Sequence, residues 1–101
     1  MDARTYLLET YMSRTSAGGP AAAAARARAV AAQMRHEGTQ IRVLRSFFVP
    51  EDELWFCLYE ARSSDTVAEA SRRAELGLGR IQKAVDADIG TRASQSERRQ
   101  R

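Results

Sequence analysis

Two segments rich in large apolar residues, 39–48 and 54–61, flank the turn Val49-Pro50-Glu51-Asp52-Glu53, and a helix-capping run follows at once. Aromatic and branched residues dominate both segments, so the pattern reads as strand, five-residue turn, strand. Pro50 and the acids suit the turn, and they also blunt an exposed sheet edge. After the second strand, Ser64 or Thr66 is placed to cap a helix, and Thr66 with Glu69 has capping-box spacing.

The flanking sequence completes the order. Residues 4–12 alternate, with Tyr6, Leu8, Thr10 and Met12 on one face and Leu7, Glu9 and Tyr11 on the other. Ser, Gly and Pro then break the strand, and Pro20 sits where a first helical residue needs no N–H. An Ala-rich helix follows, with Ala23, Ala27, Val30 and Met34 as its apolar stripe and Gly38 as its stop. Small residues on that stripe let the helix lie close to a sheet. The second helix is expected to bury Val67, Ala70 and Ala74 and to end at Gly77, and a last strand runs from about 80 to 85 with Ile81 and Val85. This is the βαββαβ order of a ferredoxin-like α+β domain over residues 1–87, a four-stranded antiparallel sheet with two helices on one face. Residues 88–101 lose the apolar pattern and are expected to be a disordered tail.

A sheet covered on one side leaves the other open. Pairing Phe48 with Leu54, Leu44 with Leu58 and Arg42 with Glu60 puts Trp55, Cys57, Tyr59 and Ala61 under the helices. Leu54, Phe56, Leu58 and Glu60 then face outward with Leu7, Glu9 and Tyr11. An open face carrying Leu and Phe needs a cover, and a second copy of the chain is the simplest one. Glu9 and Glu60 should lie near each other there, with Arg42 beside them. Two carboxylates can share a proton, hold a hard cation or pair with arginine.

The rest of the composition narrows the function by exclusion. A net charge of +3, spread along 101 residues, lacks the clustered basic stripe of a nucleic-acid binder. One cysteine, Cys57, excludes an internal disulfide and a cysteine-based zinc cage. No leader and no apolar run of about 18 residues precede or interrupt the domain, so no membrane span is expected and a reduced, cytoplasmic setting is. His36, the single histidine, falls away from the apolar stripe near the helix C-terminus. Trp55 and Tyr59 could stack on a planar ligand, but at strand spacing an aromatic pair is core. The Leu-Gly-Leu-Gly-Arg run precedes a strand rather than a helix and makes no phosphate loop. No nucleophile elbow or paired histidine is present, so the catalytic signal is nearly absent. Fifteen Arg against one Lys, with abundant Ala, fit a GC-rich genome such as an actinobacterium's.

Four segments together resemble a known group: Tyr6-Leu7-Leu8-Glu9-Thr10, the run 45–52 (RSFFVPED), the run 56–61 (FCLYEA), and 67–85 with its GLGRIQKAV end. They are similar to a family of small bacterial ferredoxin-like proteins named for a nickel-binding actinobacterial member. The resemblance spans about residues 5–85 and implies a homodimer in which two sheets meet as an α+β barrel, with a divalent metal such as nickel. Its pattern places histidines where this chain has Arg45, Ala70 and the neighbourhood of Gln82. Candidate metal contacts here are therefore Glu9, Glu60 and His36. The resulting reading is a non-catalytic homodimeric binding protein, open to a small ligand or protein partner. Its rivals are a cofactor-free monooxygenase-like or isomerase-like enzyme on a dimeric barrel, and an assembly module of a larger complex.

Overall fold

A computed structural model describes residues 3–77, 79–85 and 87. Its elements run β1 (Arg4–Tyr11), α1 (Gly19–His36), β2 (Ile41–Val49), β3 (Leu54–Ala61), α2 (Ser64–Arg73) and β4 (Gly79–Ala84). The sheet is antiparallel throughout, in the order β2-β3-β1-β4, with β1 and β3 in the middle. This is the ferredoxin-like α+β arrangement that the sequence implies. The expected tail from residue 88 lies outside the described residues. Among the described residues no helix is long and apolar enough to cross a membrane.

Alternation decides what each central strand buries. Tyr6, Leu8 and Thr10 of β1 and Trp55, Cys57, Tyr59 and Ala61 of β3 face the helices and are buried. The alanine stripe of α1 packs down on them, but its third member is Ala31 rather than Val30, which is only partly buried. The spacing from Ala27 explains this: position 31 is four residues on, and at 3.6 residues per turn it stays under the same side chains. Met34 closes the stripe, and Gly38, at φ 99°, ends the helix as expected.

α2 departs in detail. Its cap is Ser63, not Ser64 or Thr66, with the Ser63 side chain accepting from the Thr66 N–H at 3.2 Å. Thr66 supplies the amide instead of the cap. Val67, Ala70 and Ala74 are buried as expected, and the helix gives way after Arg73 to a turn in which Glu75 takes φ 56°. Two contacts tie the helices together: Arg26 Nε donates to the Ala74 carbonyl at 2.9 Å, and Arg73 bridges Glu69 of its own helix and Glu37 after α1.

The hairpin holds the largest correction. Arg42 does pair with Glu60, but toward the turn the partners are Arg45 with Leu58, Phe47 with Phe56 and Val49 with Leu54. A bulge at Leu44 inserts one unpaired residue, which moves every later residue of β2 to the opposite face. Phe48 therefore turns inward against the core, and Phe47 and Val49 turn outward. Outside the sheet ladders, Arg28 Nη1 and Arg35 Nη1 of α1 donate to the carbonyls of Val43 (3.1 Å) and Ile41 (2.9 Å). They occupy acceptors along the first half of edge strand β2, which blunts it for further pairing.

Two local features hold the sheet ends. Gly79 opens β4 where β1 passes so closely that a Cβ would meet the Glu9 carbonyl oxygen and Leu8 Cδ1, each at 2.8 Å. At the other loop, Glu53 receives the Tyr11 hydroxyl at 3.1 Å and the Arg14 N–H at 2.9 Å, while its own carbonyl accepts from Met12 N at 2.8 Å. The Arg14 amide bond, helped by Tyr11 and the Arg14 charge against some desolvation, holds the Glu53 carboxyl below its ordinary range.

Gly79→Ala is expected to lower stability by about 1–3 kcal/mol in chemical denaturation, since backbone blocks the new methyl. Glu53→Gln should lower the melting temperature at neutral pH. Because the folded pKa is depressed, that loss should shrink as pH falls below 4.5 and through the lowered Glu53 pKa, which melting curves at several pH values would read.

Candidate functional site

Residues of β1, β2 and β3 build the apolar part of the uncovered face of the sheet. β3 contributes Leu54, Phe56, Leu58 and Glu60, and β1 contributes Leu7, Glu9 and Tyr11. β2 adds Phe47 and Val49, turned outward by the bulge, together with Leu44 at the bulge itself. Phe47 is 48% exposed and Tyr11 64%, high values for aromatic side chains. The Phe47 and Phe56 rings meet at 5.8 Å between centroids, tilted by 32°. At one end of this face a cleft of about 470 Å³ opens between Leu44, Phe47, Leu58 and Val85.

The carboxylates expected to cluster here are separate. β1 pairs with β3 so that Thr5 lies opposite Glu60, whereas Glu9 lies opposite Phe56. Glu9 and Glu60 are thus four residues apart along the strands, roughly 13 Å at the usual rise per residue. Each pairs with an arginine instead: Glu60 with Arg42 and Glu9 with Arg80, both at 3.9 Å. His36 stands on the helix layer, exposed, on the other side of the sheet. The three candidate ligands do not converge. Their separation follows from pairing register, which alternation alone does not specify.

Among the described residues no group of three or more His, Cys, Asp and Glu could hold a metal ion. Nickel is a borderline cation that favours imidazole nitrogen, so one exposed histidine and two arginine-paired carboxylates do not fit a nickel site within a single chain. Cys57 offers no substitute. It is fully buried, and desolvation pushes its thiol up to about 11 despite the nearby Tyr59 hydroxyl and Arg28 charge. At neutral pH that thiol holds its proton and is a poor ligand and nucleophile.

The aromatic pair is core. Trp55 and Tyr59 are both 0% exposed, and burial with the neighbouring Cys57 raises the Tyr59 hydroxyl. A cleft of about 260 Å³ opens beside Tyr11, where the Ser13 hydroxyl bonds with Thr15 and Arg26 with the Ala74 carbonyl.

One constellation escaped the sequence reading. Arg28, Arg35 and Arg42 line a recess of about 420 Å³ between α1 and edge strand β2, with Ala31 and Val43 as its floor. Its signal was the seven-residue spacing of two arginines, two helical turns apart on one face.

The family described as nickel responsive protein SCO4226-like matches residues 10–83. No curated protein and no solved structure matches the chain.

A thiol reagent such as DTNB should leave Cys57 unmodified in the native protein at pH 8 and titrate one thiol after unfolding. Rapid native labelling would overturn the inert-core assignment.

Proposed function

Because this chain belongs to the SCO4226-like family of nickel responsive proteins, we propose that it works as a non-catalytic homodimeric binding protein whose open sheet faces close on each other. The observation that supports this best is the continuous apolar face of Leu7, Leu54, Phe56, Leu58, Phe47 and Val49. A patch of this kind, rimmed by charge, is costly to leave in water and marks an interaction surface. The rim also suits self-association. The face carries two arginine–carboxylate pairs, Arg42 with Glu60 toward one end and Arg80 with Glu9 between Leu7 and Tyr11, so a two-fold related copy can meet opposite charge at both.

The same pairing gives the metal reading its place. Within one chain the donors are too few and too far apart, and only a second copy raises their number. Glu9 and Glu60, on the shared face, are the polar contacts assigned to that interface, and His36 remains a surface donor outside it. Nickel enters this reading through the family. The chain's own residues suit carboxylate contacts to a divalent ion better than an imidazole site.

Native mass spectrometry on protein purified without a metal-affinity tag tests both parts, before and after addition of Ni²⁺, Zn²⁺ and Ca²⁺. A dimer is expected, and Phe47→Glu should convert it to a folded monomer. A wild-type monomer at micromolar concentration would end the dimer reading. Uptake of metal at fixed stoichiometry should be lost in the Glu9→Gln/Glu60→Gln double variant; uptake unchanged there, or none in the wild type, removes these carboxylates from the account.

A further inference from the structure

We infer that the recess formed by Arg28, Arg35 and Arg42 is a binding site for a small phosphate-bearing anion. This site lies between α1 and β2 and shares Arg42 with the edge of the open face, and none of its arginines is among the metal contacts proposed above.

The recess gathers three arginines at one place on the fold. Other arginines of the fold meet carboxylates, Arg14 with Glu53, Arg72 with Glu69, Arg73 with Glu37 and Glu69, and Arg80 with Glu9, while Arg26 donates to the Ala74 carbonyl. Arg28 and Arg35 have no carboxylate partner among the described residues. Their recorded partners are the neutral carbonyls of Val43 and Ile41. A guanidinium carries five N–H donors, so each retains donors beyond the one given to β2. The carbonyl bonds also hold both heads in place, which lowers the ordering cost of binding an anion.

Geometry makes room for one. Arg28 and Arg35 sit seven residues apart, on the same side of α1, and Ala31 between them is too small to fill the gap. Arg42 reaches the recess from β2, and its pairing with Glu60 is long, at 3.9 Å, between side chains that are 65% and 41% exposed. An exposed pair of that length contributes little and is readily exchanged. The guanidiniums of Arg28 and Arg35, joined by Arg42 when it leaves Glu60, would offer a dianionic tetrahedral group paired hydrogen bonds from planar forks in a cleft of about 420 Å³. Glu60 is the competing anion.

The competition supplies a sharp test, with pyrophosphate and inorganic phosphate as probes in calorimetric and amide-NMR titrations at low salt. One pyrophosphate per chain is expected, with shifts confined to residues near 28–35 and 41–43. Arg35→Gln and Arg42→Gln should each weaken binding about tenfold, the loss of one charge-assisted contact. Arg42→Gln leaves both carbonyl contacts of β2 in place, so a folding defect cannot explain its effect; melting curves confirm this. Glu60→Gln should tighten binding by releasing Arg42. Absence of saturation by about 10 mM, affinity unchanged in both arginine variants, or weaker binding in Glu60→Gln overturns the assignment. Loss of phosphate binding in Arg35→Gln, with dimer and metal uptake intact, would separate this site from the open-face function.

Discussion

The two-residue period of β3 is the constraint on which the rest of the molecule depends. Trp55, Cys57, Tyr59 and Ala61 lie on one side of it and Leu54, Phe56, Leu58 and Glu60 on the other, and β1 lies beside it in a register that extends both rows. Both helices cover the first row, so the strand's second row is left without a covering layer among the described residues. The helix layer itself is built from small residues, Ala23, Ala27, Ala31 and Ala70. It sits close to the sheet and excludes water well, yet it contributes little apolar area per residue. The large outward side chains are therefore a substantial share of what this domain could still bury.

Much of that plan was legible in the sequence because it rests on period and punctuation. Strand alternation, Pro20, Gly38 and the Pro50 turn each act within a few residues, so the order of elements and the buried row of β3 follow from local rules. Failures arose where one residue of offset decides the outcome. The bulge at Leu44 has no composition signature, and it exchanges the faces of Phe47 and Phe48. The cap at Ser63 lies beside Ser64, and only backbone conformation distinguishes them; Ser63 is the extended one.

The candidate site was less legible than the fold, for a related reason. Placing Glu9 and Glu60 on one face required only alternation, and that much holds. Placing them together required the register of β1 against β3, a relation between residues 50 apart in the chain, and the register sets them four positions apart. The arginine recess is the converse case. Arg28 and Arg35 look like solvated helix positions until the α1 and β2 packing brings them against the edge carbonyls.

Charge matching then distinguishes the two surfaces to which the two proposals are assigned. On the open face, arginine and glutamate occur in nearly neutral pairs, a distribution that tolerates contact with an identical copy, since neither sign accumulates. On the α1–β2 edge the arginines meet neutral carbonyls, so positive charge does accumulate there, and like charge would resist a second copy pairing along that edge. The same arginines that leave this edge attractive to an anion therefore also protect it from strand-to-strand association. On the proposed dimer reading, self-association is thereby directed toward the apolar face, whose outward row β3 fixes.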